Sequence, residues 1–208
     1  MHFHYLLPIA ALTAALAAAQ EHIALQCRES EPPNVEITEI AFAGSGCPAG
    51  YAPGQTLSDP STLILPATSF TAESGKNKSN LDARTNCQIL VKLHYPSDWQ
   101  FSVSKADYYG RVQVPDGMTA VSKTTYYFTG DPTSNDVSYN TTVLGPYDGS
   151  YFRNDRFGET NSLWSPCGSE AMLNINSEVR LSPVGTGQTA VIGVYTQEKV
   201  DISWRTCG

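Results

Sequence analysis

The sequence predicts an all-β protein: an antiparallel β-sandwich or jelly-roll-like single domain stapled by two disulfides. Three observations lead to this class. Short segments rich in β-branched and aromatic residues are separated by Gly, Pro, Asn and Asp, which is the pattern of strands and turns. Apolar and polar residues alternate within these segments, as in antiparallel sheets with one face in water. Five cysteines are present in a chain that carries an export signal, and exported cysteines form disulfides.

The N-terminal segment predicts export. An uncharged apolar stretch runs from Leu6 to Ala19 and ends in alanines, and small residues just before the cleavage point are what signal peptidase recognises. We therefore predict a signal peptide over residues 1–19, a flexible polar leader over 20–34 and the β-sandwich domain over 35–208. The apolar stretch is shorter than a membrane span of about 20 residues, so no membrane insertion is expected.

From residue 35 onward, the chain reads as one strand after another, with no helical period. The sequence Pro-Asp-Gly at 115–117 predicts a tight turn between two strands, and the polar stretch 129–145 is expected to be loop. The predicted strands are, in chain order, VEITEIAF (35–42), TLIL (62–65), CQILVKLHYP (87–96), WQFSVSKADYYGRVQV (99–114), MTAVSKTTYYF (118–128), SYF (150–152), LNINSEVRL (173–181), TAVIGVYT (189–196) and KVDISWRTC (199–207).

The parity of the apolar residues predicts which side of each strand faces the core, because successive side chains of a strand point to opposite faces. This alternation is clearest in the strands of 87–96 and 173–181. The sets expected to point inward are Ile89, Val91, Leu93 and Tyr95; Leu173, Ile175, Val179 and Leu181; and, in the first strand, Val35, Ile37 and Ala41.

The cysteines predict two local disulfides. Sequence alone leaves the connectivity open, and an odd count leaves one cysteine over. We choose Cys47–Cys87 and Cys167–Cys207, because the partners flank patterned segments and enclose local loops. Each loop of about 40 residues would remove about 4 kcal/mol of denatured-state entropy. Cys27 lies in the polar leader and is expected to be free or intermolecular.

Two acceptor sequences for N-glycans are present, at Asn77 and Asn140. Both lie in stretches rich in Ser, Thr, Asn and Gly, which are expected to be surface loops, as N-glycosylation requires. The predicted export signal supports both sites, since N-glycans are added on the export route.

Composition argues against two classes of partner. The formal net charge is −7 and the pI is near 5.0. An acidic chain without a cluster of Lys and Arg repels phosphate backbones and anionic headgroups. Nucleic acid and membrane surfaces are therefore not expected as partners.

The small number of histidines limits the possible catalytic chemistry. Only His22 and His94 remain after the predicted cleavage. A Ser-His-Asp triad would have to use His94, which lies on the polar parity of a strand, and no Gly-x-Ser-x-Gly sequence is present. Cys-x-x-Cys and His-Glu-x-x-His, which bind zinc, are also missing from the sequence. We predict no catalytic residue, no metal and no cofactor.

Paired carboxylates leave one enzymatic alternative open. A polysaccharide hydrolase needs two acids that meet in space, and these can come from distant segments. The acids in the stretch expected to be mostly loop are Asp131, Asp136, Asp148, Asp155, Glu159 and Glu170.

An aromatic and polar segment is the best candidate for ligand binding. Between residues 147 and 164, ring side chains interleave with carboxylates, amides and arginines, a mixture that suits carbohydrate or protein partners. The alternative is that these rings cap the end of the sandwich. The candidate ligand-binding residues are Tyr147, Asp148, Tyr151, Asp155 and Trp164.

Several short blocks in a fixed order resemble a known family. They are GSGCP (44–48), NCQ (86–88), LHYP (93–96), WQ (99–100), TYYF (125–128), SPCG (165–168) and LNIN (173–176). Together they resemble the domain-of-unknown-function 4360 family, whose members are small secreted proteins, mostly fungal. The resemblance implies secretion, a β-rich fold and a framework of four paired cysteines, and it carries over no catalytic residue.

These observations together lead to an expected function. We expect a secreted, extracellular protein, in some settings bound to the cell wall, that has no catalytic activity. It is expected to bind a glycan, or a cell-wall or host component, at the fungal surface. The alternatives are a secreted polysaccharide hydrolase that uses two carboxylates and a structural cell-wall protein.

Overall fold

The computed structural model describes residues 32–208, apart from 48–49, 52–56, 66–68, 131–135, 159, 161, 169 and 197–198. Residues 1–31 lie outside this range. The predicted signal peptide, most of the predicted leader, His22 and Cys27 therefore lie outside the described residues.

The described residues form thirteen β-strands, and they contain no helix long and apolar enough to cross a membrane. The prediction of an all-β fold is confirmed. The strands are β1 (Glu36–Ala43), β2 (Gly50–Tyr51), β3 (Leu57–Asp59), β4 (Thr62–Ile64), β5 (Phe70–Ser74), β6 (Arg84–His94), β7 (Trp99–Val114), β8 (Thr119–Phe128), β9 (Val137–Leu144), β10 (Tyr147–Arg156), β11 (Glu170–Ser182), β12 (Ala190–Thr196) and β13 (Lys199–Thr206).

The strands build two antiparallel sheets that pack together, as predicted. Sheet A has the order β2-β1-β6-β11-β8-β9. Sheet B is organised around the long strand β7: β13 and β12 pair one after the other along one edge, and β10 pairs along the other. β4 and β5 flank β13 and β12, and β3 flanks β4. β7 therefore pairs with three of the other strands of sheet B and sets their positions.

The core lies between the inner faces of the two sheets. The predicted inward residues of β6 and β11 are all buried, which confirms the alternation predicted for these strands. They meet residues of sheet B that include Phe101, Val112 and Trp204, each at most 4 % exposed. Burying one such side chain contributes about 1.5–3 kcal/mol, so this interface contributes strongly to the stability of the fold.

Two sequence-based expectations about strands are wrong. In β1, a register shift between Ile37 and Glu39 changes the parity. Ile40 becomes the buried residue of this strand, and Ala41 faces away from the core. The stretch 129–145, expected to be loop, contains β9, because its weak alternation of Val, Tyr and Thr is sufficient when β8 supplies the backbone partners.

Both predicted disulfides are present. Cys47 is bonded to Cys87 with a Cα–Cα distance of 5.2 Å, and Cys167 to Cys207 with 6.0 Å, both within the usual range. The first bond is buried in the core. The second connects the segment before β11 to the end of β13, and it lies at the surface. The domain thus has one disulfide in its core and one at its surface.

The two predicted glycosylation sites are exposed. Asn77 lies in the turn after β5 with a φ of 70°, and Asn140 lies on β9. Asn140 was expected in a loop, and its strand position is a correction. The register partner of Asn140 is Lys123, whose exposed side chain points away from the core, so Asn140 occupies the outer face of sheet A. Glycosylation at the two asparagines stays a prediction.

Candidate functional site

The predicted ligand-binding residues of β10 are divided between the two faces of sheet B. β10 pairs with β7 in unbroken register, so its side chains alternate between core and solvent. Tyr151 and Asp155 point inward and are 8 % and 0 % exposed, whereas Asp148 is exposed. Tyr151 fits because its ring lies over Gly110, where a Cβ atom would meet it at 2.2 Å. Tyr151 and Asp155 therefore lie on the core side of sheet B, and Asp148 lies on its solvent side.

Asp155 belongs to a buried polar cluster between the sheets. Its carboxylate accepts hydrogen bonds from Arg153 Nε at 2.7 Å and from the Tyr126 hydroxyl at 2.8 Å. Arg153 also donates to Ser122 at 3.0 Å and to Thr124, and its guanidinium lies 4.2 Å from the ring centre of Tyr108. β10 and β7 of sheet B supply one side of the cluster, and β8 of sheet A supplies the other.

Burial controls the protonation of this cluster. It raises the pKa of the Asp155 carboxyl above its ordinary value, although Arg153 and the Tyr126 hydroxyl act in the opposite direction. Burial also raises the pKa of Tyr126 well above its ordinary value, so this phenol stays protonated and donates. The cluster connects the two sheets, and its acid has no path to a polysaccharide outside the sandwich.

Two of the other acids proposed for hydrolysis, Asp148 and Glu170, are each held in an ion pair with a basic side chain. Asp148 lies in an exposed ion pair with Arg111 at 2.7 Å, and Glu170 is paired with Lys92 at 2.7 Å on the other sheet. Asp131 and Glu159 lie outside the described residues. Within the part of the chain that the structure describes, no three His, Cys, Asp or Glu side chains come together as metal ligands.

The outer face of sheet B carries three exposed aromatic rings. Tyr109 is 53 % exposed, Phe152 is 54 % exposed and Tyr195 is 44 % exposed. Tyr109 and Phe152 are register partners on β7 and β10, with ring centres 4.9 Å apart and an interplanar angle of 40°. Tyr195 is the extra residue of a bulge in β12, beside Tyr109. We call these three residues the aromatic patch.

Two irregularities in the sheet lie close to these rings, and the first determines that Tyr109 faces solvent. The register between β7 and β13 shifts at Ser104, which reverses the parity of β7 beyond that point. Tyr108 therefore enters the core and Tyr109 faces solvent. In β12, Val194 lies in the core and Tyr195, at the bulge, faces solvent. Bulges commonly reorient side chains in this way at functional surfaces.

Hydrogen-bonding side chains surround the aromatic patch. On one side lies the ion pair of Arg111 and Asp148. On the other side, Asn154 donates to Asp107, which is also paired with Lys105 at 2.6 Å. Amide, carboxylate and guanidinium groups thus stand next to exposed rings on one rigid sheet.

The remaining two predicted residues, Tyr147 and Trp164, lie toward opposite ends of sheet B. Tyr147 begins β10, is 38 % exposed and donates to the carbonyl of Ser150 at 2.7 Å. Trp164 forms a β-bridge with Ser102 near the start of β7, and the guanidinium of Arg205 lies 4.0 Å from its ring centre. The structure therefore brings Tyr147 and Asp148 to one end and Trp164 to the other. The residues predicted from sequence do not include the three members of the aromatic patch, Tyr109, Phe152 and Tyr195, which lie between these ends.

The fold and the cysteine framework define a two-sheet, disulfide-stapled β-sandwich domain with an aromatic outer face. The chain belongs to the family described as domain of unknown function (DUF4360), whose model matches residues 33–207. It is 35 % identical over 175 residues to an uncharacterized secreted protein of Arthroderma benhamiae, covering 84 % of this chain and 69 % of that protein.

Solved structures show distant likeness only. A carbohydrate-binding module, TmCBM61, in complex with β-1,4-galactotriose matches with a TM-score of 0.31 and 10 % identity, over 83 % of this chain and 91 % of that one. TmCBM27, a mannan-recognising module, matches with a TM-score of 0.31 and 10 % identity, over 83 % and 99 %. Scores this low carry no information about a ligand or a binding face.

Proposed function

We propose that this protein is a secreted, non-catalytic glycan-binding protein that holds its ligand on the outer face of sheet B. Secretion is supported by the apolar segment at residues 6–19 and by the secreted relative at 35 % identity. The aromatic patch is the observation that carries the binding function. The glycans of a cell wall are the ligands this surface suits.

The aromatic patch has the chemistry of a sugar-binding surface. Exposed apolar area that clusters on one face of a soluble protein marks an interaction site. The apolar C–H faces of a pyranose pack on aromatic rings, and its hydroxyl groups need nearby donors and acceptors. Arg111, Asp148, Asn154 and Asp107 supply these groups beside the rings.

The rings are also held in place before a ligand arrives. Tyr109 and Phe152 stand on paired strands and support each other across the sheet. A side chain that is already ordered loses little conformational entropy on binding, so the affinity for the ligand is higher. The predicted glycan at Asn140 would project from sheet A, so it would leave this surface free.

Replacing Tyr109 or Phe152 by alanine is expected to weaken glycan binding by about fivefold or more, because a ring buried at an interface contributes upward of about 1 kcal/mol. The purified mature protein would first be screened on a glycan array. The best ligand would then be titrated by isothermal calorimetry against wild type, Tyr109→Ala and Phe152→Ala.

The matched control is Tyr127→Ala, which removes a partly exposed tyrosine from the outer face of sheet A. Its affinity should equal that of wild type. Loss of a cross-strand ring pair costs only about 0.2–1 kcal/mol of stability, so all three variants should remain folded. Binding that survives both patch variants, or an array without any bound glycan, would contradict the proposal.

A further inference from the structure

A second recognition element lies at the Trp164 end of sheet B. Here the structure has an open cavity of about 270 Å³, near the lower limit of about 300 Å³ for small-molecule sites. It is lined by the rings of Trp164 and Phe157, the guanidinium of Arg205 and four serine residues, Ser102, Ser104, Ser162 and Ser203. We call this the Trp164 cavity. Its size suits one sugar unit rather than an extended chain.

Arg205 is a cation without an acidic partner among the described side chains, since each ion pair found there joins other residues. When the Gln100 amide is oriented so that both of its ends are satisfied, its oxygen accepts from Arg205 Nε at 3.2 Å and its nitrogen donates to the carbonyl of Ser165 at 3.2 Å. Gln100 is itself buried. A neutral, buried amide thus fixes the guanidinium and leaves its positive charge uncompensated.

Trp164 fixes the same guanidinium from a second direction. The ring centre lies 4.0 Å from Cζ of Arg205, within the range of cation–π attraction. An arginine held by stacking and by an amide presents its remaining N–H groups in a fixed fork, which matches the two oxygens of a carboxylate. A positive charge prepared in this way is unusual on a chain with a net charge of −7.

We propose that the Trp164 cavity binds the carboxylate-bearing sugar of an acidic polysaccharide, a uronic acid unit. Arg205 pairs with the carboxylate, the serine hydroxyl groups bond to sugar hydroxyls, and the tryptophan bounds the sugar ring. This inference rests on the proposed glycan-binding function and deepens it, because it names the chemical class of the ligand.

The cavity and the aromatic patch lie along one strand. Ser102 lines the cavity and Tyr109 belongs to the patch, and both are on β7. At about 3.3 Å per residue, their separation is roughly 20 Å. A single sugar cannot span this distance, whereas a linear polymer lying along β7 can. The rings then bind the polymer regardless of its charge, and the Trp164 cavity selects the acidic unit.

The test compares two forms of one polymer. Oligomers of polygalacturonate and the same oligomers after chemical reduction of their carboxyl groups would be titrated by calorimetry. Wild type should bind the acidic form at least about tenfold more tightly, since the guanidinium forms charge-assisted hydrogen bonds only with the carboxylate. In Arg205→Gln, this preference should disappear while the weaker binding of the reduced form is retained.

Arg180→Gln is the matched control, because it removes the same charge from an exposed position on sheet A and should keep the full preference. Tyr109→Ala should weaken the binding of both forms by the same factor. If Arg205→Gln keeps the preference while Tyr109→Ala loses affinity, the uronate inference is overturned and the glycan-binding function stands. If wild type binds neither form, the uronate inference fails. If inorganic phosphate displaces the acidic oligomer at equal concentration, the Trp164 cavity binds anions in general. This result would also overturn the uronate inference.

Discussion

Replacing Arg153 by methionine is expected to lower the free energy of unfolding by about 3–5 kcal/mol, because it leaves the Asp155 carboxylate buried without its cation. Asp155 is 0 % exposed and Arg153 is 6 % exposed, so water cannot take the place of the lost partner. The measurement is equilibrium unfolding in urea of the oxidised protein. A loss of this size approaches the net stability of an ordinary domain.

The control for Arg153 is Arg111→Met, which breaks the exposed pair with Asp148. Exposed ion pairs contribute about 0–1 kcal/mol, so this variant should unfold close to wild type. Asp155→Asn should be destabilised like Arg153→Met, since it leaves the arginine charge buried. Equal stabilities for Arg153→Met and Arg111→Met would show that the buried cluster does not connect the sheets.

The same cluster predicts a dependence on pH. Burial raises the pKa of Asp155 in the folded state above its value in the unfolded chain. At a pH between these two pKa values, the folded state binds more protons than the unfolded state. The contribution of Asp155 to the free energy of unfolding is therefore present at low pH and is lost as the pH rises. The stability advantage of wild type over Asp155→Asn should therefore shrink as the pH is raised through the carboxyl range. An advantage that grows with pH would contradict this.

Removing the buried disulfide should destabilise the domain more than removing the exposed one. Both bonds join cysteines 40 residues apart, so the entropy of the unfolded chain changes by the same amount, about 4 kcal/mol in the chain-entropy model. Cys47 and Cys87 also pack in the core. The double variant Cys47→Ala/Cys87→Ala therefore loses packing in addition, whereas Cys167→Ala/Cys207→Ala loses little packing.

We expect a loss of about 2–5 kcal/mol for the exposed bond, and roughly 1 kcal/mol more for the buried bond, from the atoms removed from the core. Urea unfolding of the two double variants measures the difference, and each serves as the control for the other because the loop lengths match. Under mild reductant, peptide mapping should find Cys167–Cys207 opened first. If that bond opened last, accessibility would not control reduction here.

Regular alternation predicted the strands that form the centre of sheet A. Ile89, Val91 and Leu93 on β6 could be placed from sequence because their neighbours alternate in polarity. Bulges have no such signal. For the pair Tyr108 and Tyr109, the sequence indicates that one ring faces the core, but only the register shift at Ser104 determines which one.

β10 shows why the candidate site was only partly predicted. In this strand the usual polarity is reversed: Arg153 and Asp155 point into the core, and Phe152 points to solvent. The polarity pattern of a sequence assigns charged residues to solvent-exposed loops, so it predicts Asp155 at the surface. Its burial depends on partners from β8, which are distant in sequence. Trp164 and Arg205 are likewise far apart in the chain, so their contact has no local signature.

The way in which β7 is paired also has a consequence for biosynthesis. One edge of β7 is completed only by β12 and β13, which come last among the described strands. During synthesis on the ribosome, the backbone groups along that edge of β7 therefore stay unpaired until residue 206 has left the ribosome. Long-range pairing of this kind is slow and exposes strand edges to aggregation. Closure of sheet B, and with it the bond to Cys207, is therefore a late step in folding.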